Sequence, residues 1–127
     1  MIQVAPILLL SLLSITFLQS GYDKIKDWKG NVSWLKGHFS GTIFANTVPL
    51  ALFIILILEI FSGVLCVSGI IELFSNQTTE VGYYGAILSC ITLLFLLFGQ
   101  RIAKDYDGAR TIVIYFIPAI IAVYLLG

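Results

Sequence analysis

From Val48 to Ile71 the chain reads VPLALFIILILEIFSGVLCVSGII, with Glu59 as its one charged side chain. A helix needs about 20 apolar residues, at 1.5 Å rise each, to cross a hydrocarbon core of about 30 Å. This run meets that length. Three others match it: Met1 to Ser20, Val81 to Gly99 and Thr111 to Gly127, none holding a Lys, Arg, Asp or Glu. Backbone groups in lipid must bond within their own segment, and no period-two alternation suggests a barrel, so the runs are helices. The reading is an all-α, integral membrane four-helix bundle with an interfacial segment between helices 1 and 2. It forms a single domain over residues 1–127, with spans at about 1–21, 48–73, 81–99 and 111–127.

Composition agrees. Of 127 residues, 59% are hydrophobic and only 11% charged, against about 25% charged in soluble domains. Seven basic and seven acidic residues cancel, so there is no cationic excess to hold nucleic acid. Membrane lipid is the expected surrounding. The first run lacks a basic leader and is long for a signal-peptide core, so it is read as a retained span.

The linkers decide the orientation expected. Lys24, Lys26, Lys29 and Lys36 follow the first span; Arg101, Lys104 and Arg110 lie between the third and fourth. Phe74 to Glu80 holds no basic residue, and neither does either end of the chain. The positive-inside rule makes the basic side cytoplasmic. Both termini and the Ser75-Asn76-Gln77 turn then lie outside. Asn31-Val32-Ser33 and Asn76-Gln77-Thr78 match the glycosylation triplet, a pattern too common to carry weight.

Small and polar residues mark helix contacts in a bilayer, where hydrophobicity cannot draw helices together. Glu59, Ser62, Gly63 and Cys66 fall on one face of the second span. Gly82, Gly85, Ala86, Ser89 and Cys90 do so in the third. Tyr115, Ala119 and Ala122 share a side of the fourth, where Pro118 should bend the helix. Ser11 and Ser14 serve the first. Cys66 and Cys90 sit at different depths and read as two buried small side chains, not a disulfide.

Glu59 is the exceptional residue, about a dozen positions from each end of its run. An ionised acid there costs at least ~2.5–3.5 kcal/mol. Counted within each run, no Lys, Arg or His lies at the same depth, so a salt bridge within the chain is not expected. The expectation is a neutral Glu59 in a hydroxyl network with Ser11, Ser14, Ser89 and Tyr115; together with Ser62 these are the candidate ligand-binding residues. Such a carboxyl could anchor a ligand, for example a quinone carbonyl or a lipid headgroup, or serve as a structural clamp between helices.

Between the first two spans, Asp23 to Thr47 mixes lysines with Trp28, Trp34, Phe39 and Phe44, a composition suited to the headgroup zone. A short interfacial helix is the plainer reading; a lid over the bundle's mouth is the sharper. His38 is the one histidine. It cannot ligate a haem from both sides, and no Cys/His/Asp cluster suits zinc. No metal is expected, and no cofactor is evident apart from a quinone. Glu72 and Glu80 are expected to be simply solvated beside the outer turn. In the last linker, Asp107-Gly108 reads as a tight turn, with Arg101 and Lys104 free to meet lipid phosphate or Asp105.

Two motifs give a resemblance. Ser20-Gly21-Tyr22-Asp23-Lys24-Ile25, ending the first span, resembles the Gly-x-x-Lys-apolar pattern of the DoxX family of small four-span bacterial membrane proteins. Glu59-Ile60-Phe61-Ser62-Gly63, with the later Gly69, is similar to that family's Glu-x-x-x-Gly in span two. Span number and linker lengths fit over nearly the whole chain. The residues that carry over are Gly21, Lys24, Glu59, Gly63 and Gly69. The resemblance implies a four-helix bundle in the bacterial inner membrane, where the outside termini would be periplasmic by the positive-inside rule, and a family named from a terminal quinol oxidase subunit, with relatives linked to thiol redox stress.

The function expected is therefore that of a non-enzymatic accessory subunit of a respiratory or redox membrane complex, holding a quinone or lipid near Glu59. Its partners would be other membrane subunits or further copies of itself. The alternative is a stand-alone membrane enzyme or carrier using Glu59 as acid or base on an apolar substrate.

Overall fold

The computed structural model describes residues 4–75 and 78–127. It contains α1 (Val4–Lys26), α2 (Trp28–His38), α3 (Val48–Ser75), α4 (Glu80–Ile102) and α5 (Tyr106–Leu126). Four of these, all but α2, are long and apolar enough to cross a membrane. The all-α bundle expected from the sequence is what forms. Met1 to Gln3 of the first span, and Asn76 and Gln77 of the outer turn and its triplet, lie outside the described residues.

Around the bundle the order is α1, α3, α4, α5, with α5 returning to α1. The inward stripe of α3 is Leu52, Leu56, Glu59, Ser62, Gly63, Cys66, Gly69 and Leu73, at the three- and four-residue steps of one helix face. Opposite it α4 buries Gly82, Gly85, Ala86, Ser89, Cys90, Thr92 and Leu93. The small residues do what lipid demands of them. A Cβ added to Gly85 would sit 3.0 Å from the Cys66 nitrogen, and one on Gly69 would strike the Gly82 backbone. Leu10, Leu13 and Phe17 of α1 fill the centre of the ring. Large side chains such as Ile57, Phe61, Leu94 and Ile114 point outward, as they must where the solvent is acyl chain.

The start of α5 and the role of Glu72 at the start of α4 differ from expectation. α5 begins at Tyr106 rather than near 111, so Asp107-Gly108 is no turn. Asp105 is the N-cap, its Oδ1 accepting from Gly108 N at 2.9 Å. A side-chain oxygen there satisfies an otherwise orphaned N–H. The turn falls earlier, at Lys104, whose φ of 61° is left-handed. Glu72 is likewise more than a solvated acid. Its Oε1 accepts from Val81 N at 3.0 Å, capping α4 across the turn with a charge that suits a helix N-terminus.

All seven basic residues lie at one end of the bundle. Lys24 and Lys26 close α1, Lys29 and Lys36 belong to α2, Arg101 closes α4, and Lys104 and Arg110 flank the start of α5. Arg110 pairs with Asp107 at 2.6 Å, and the Arg101 guanidinium lies 5.0 Å from the centre of the Tyr106 ring. Asp105, which the sequence offered to Arg101 or Lys104, faces His38 instead.

Candidate functional site: a buried ion pair beside an apolar cavity

Glu59 is 2% exposed, and its Oε1 lies 2.7 Å from Lys24 Nζ. The expectation that no cation could reach it is overturned. Lys24 belongs to α1, which stays helical to Lys26, well beyond its apolar run. Gly21 brings that helix hard against Ile60 and Leu56 of α3. Lys24, one turn further on, then reaches Glu59 from the basic end of its own span. Depth counted along each run separately misses this, because the helices are offset along their axes.

The Lys24 ammonium also donates to Ser20 Oγ at 2.6 Å. Its approach to Oε1 is ionic contact off the line of a hydrogen bond, and Oε1 has no other partner among the described residues. The neutral carboxyl expected from the sequence rested on the absence of this cation.

The hydroxyl network is not formed either. Ser11 and Ser14 donate to Ile7 O and Leu10 O of their own helix, at 2.8 and 2.7 Å. Ser89 donates to Gly85 O at 2.7 Å and faces Cys66 Sγ at 3.6 Å. Ser62 bonds across to Thr92 at 3.2 Å, a partner the sequence reading missed. Tyr115 is 36% exposed on the outer side of α5. Serines inside helices tend to bond the carbonyl four residues back, which leaves little for Glu59. Of these contacts, Ser62–Thr92 and Ser89–Cys66 join α3 to α4. Cys66 and Cys90 are free and buried, as expected.

Of the residues in the family-like motifs, Lys24 and Glu59 form the pair and Gly21 allows their approach. Gly63 lies against Leu18 of α1, and Gly69 against Gly82 and Leu10. These glycines set helix spacing.

Beside the pair lies a cavity of ≈ 480 Å³ that sequence reading could not see. Lys24 is on its wall. Asn31, Trp34, Leu35 and His38 of α2 cover it, and Val48, Leu52 and Ile55 of α3 face Leu96, Phe98 and Gly99 of α4 across it. Phe39 and Phe44 close it from the loop after α2. Both readings of the first linker hold in part: α2 is a short helix without a fully buried residue, and it also roofs a cavity. On its outer side a shallower groove gathers Trp28, Lys29, Ser33 and Lys36, the Trp-Lys pairing of a headgroup zone.

Few polar bonds hold α2 down. His38 Nε2 is 3.0 Å from Gln100 Oε1 and 3.6 Å from Asp105 Oδ2. Both facing atoms are acceptors, so Nε2 carries a proton. The ring stacks on Trp34 at 4.6 Å and meets Phe39 edge-on, and the aromatic chain continues through Phe44 to Phe98 of α4. Losing one such hydrogen bond costs about 1 kcal/mol. His38→Ala should therefore speed amide hydrogen exchange across residues 28–38 by roughly five- to tenfold, with α3 amides unchanged. Unaltered exchange in α2 would show that His38 is no tether.

Among the described residues no group of His, Cys, Asp and Glu could hold a metal ion. What the arrangement offers is an apolar chamber with an ammonium at its inner wall. Compared with family models, curated proteins and solved structures, the chain gives no match.

Proposed function

We propose that this chain is a non-catalytic, DoxX-like subunit of the bacterial inner membrane, accessory to a respiratory or redox complex, that holds a membrane-dissolved amphiphile such as a quinone or a lipid. The basic end would face the cytoplasm, by the positive-inside rule, with both termini periplasmic. One observation carries the binding role: the cavity opens sideways. Ile54, Phe95 and Phe98 line it yet are 50%, 57% and 53% exposed on the outer faces of α3 and α4. A ligand would reach it from the acyl chains. Pockets of about 300–1,000 Å³ with apolar walls and few polar groups are typical of small-molecule sites. The tight Lys24–Glu59 contact speaks for a binding role over acid–base chemistry at Glu59, since the carboxylate is held by its cation.

Native mass spectrometry of protein released from mild detergent tests this. The wild type should carry about one bound amphiphile per chain, while Ala51→Phe, which fills the cavity, should lose it. Ligand-free wild-type protein would end the binding role. Copurifying larger membrane subunits would support the accessory role, and a lone chain or homo-oligomer would count against it.

A further inference from the structure

We propose, building on that binding role, that Glu59 sets the charge class of the ligand: by neutralising Lys24 it makes the cavity select an uncharged, hydrogen-bond-accepting headgroup over an anionic one. Among the described residues, Lys24 is the one Lys, Arg, Asp or Glu on the cavity wall. An ammonium alone at the end of an apolar chamber is an anion trap, because Coulomb attraction grows as the surroundings lose water. Here the charge is already answered. Glu59 Oε1 lies 2.7 Å from Nζ and is itself 2% exposed, so the carboxylate cannot swing into solvent to make room.

An incoming anion would face the carboxylate as well as the ammonium and would shed its hydration for almost no net attraction. A neutral acceptor loses far less on leaving water or the headgroup layer. Lys24 has three N–H donors; Ser20 Oγ takes one at 2.6 Å, while Glu59 Oε1 meets the ammonium as an ionic contact. A remaining N–H can serve a carbonyl or ether oxygen. Around it the wall is aromatic and aliphatic, through Phe39, Phe44, Leu52 and Phe98. The class is an uncharged carbonyl-bearing amphiphile with an apolar tail.

Trp34 lines the cavity and Trp28 does not, so a Trp28→Phe background leaves Trp34 as reporter. Two probes sharing one brominated alkyl chain, a neutral methyl ester and a permanently anionic sulfate, quench its fluorescence when bound. The full chain in non-ionic detergent should bind the ester at least tenfold more tightly than the sulfate. In Glu59→Gln the uncompensated ammonium should raise sulfate affinity at least tenfold and change ester affinity less than threefold. The Lys24→Met/Glu59→Gln pair, which has no charge at the wall, should show no such gain for sulfate. Should Glu59→Gln fail to accumulate, the wild-type ratio and the double variant still decide. Ester binding with a wild-type preference for sulfate, or with a ratio that Glu59→Gln leaves unmoved, overturns charge selection while the binding role stands. Failure of both probes in every variant overturns the binding role itself.

Discussion

Lys24→Met should destabilise the bundle by about 3–5 kcal/mol, the cost of removing one partner from a buried ion pair. Glu59, at 2% exposure, would be left in an apolar interior with no counter-charge and no aligned donor among the described residues. Glu59→Gln should cost roughly half as much or less, because the two ends of the pair are not equivalent. Lys24 is 17% exposed, sits two residues from the end of α1 and keeps Ser20 Oγ as a partner when Glu59 is neutral. Glu59, in the second third of α3, has no partner left among the described residues once Lys24 is gone. Combining the two substitutions should recover much of the loss, since a neutral pair carries no stranded charge. Unfolding free energies from a denaturing-detergent titration give all three values. Equal losses for the two single variants would remove the asymmetry; a negligible loss for Lys24→Met would show that the contact does not stabilise the protein.

Gly69→Ala should be the most damaging single-methyl change in the α3–α4 seam, at about 1–3 kcal/mol for overpacking. Its new Cβ would strike Gly82 Cα and lie 2.8 Å from Gly82 N. Both are backbone atoms, so relief requires moving one helix away from the other. Gly82→Ala at the same crossing should be milder. The nearest atom there is Leu10 Cδ1 at 3.0 Å, the end of a flexible side chain, with the Gly69 Cα at 3.6 Å. Parting α3 from α4 would also stretch the Ser62–Thr92 bond. Matching titrations of the two variants test the order, and a reversal would mean that α4, not α3, supplies the close surface.

Much of this architecture is legible along the chain. The α3 stripe and the α4 glycines appear as helical spacings of small residues, and the structure places them in one seam. Counting depth run by run failed at Glu59. α1 continues past its apolar stretch to Lys26, because Lys and Asp side chains tolerate helix geometry and their charges can reach the interface. The serines looked like partners for a buried acid, yet each is bonded elsewhere, to a carbonyl of its own helix or across the α3–α4 seam. Glu72 looked solvated because its partner, Val81 N, lies nine residues on and across a turn. His38 looked isolated because Gln100 and Asp105 are more than sixty positions away.

The number of spans, their limits to within a few residues, and the gathering of every cation at one end follow from the amino-acid order alone. The reason is that lipid penalises each charge and each unpaired backbone group locally, so run length and linker composition suffice. Which cation meets Glu59, where α2 settles, and the cavity it roofs belong to the tertiary structure. Those depend on how far one helix slides along another before their backbones touch. Gly21, Gly69 and Gly82 mark the points of closest approach, but only the packed bundle sets the offset that brings Lys24 level with its carboxylate.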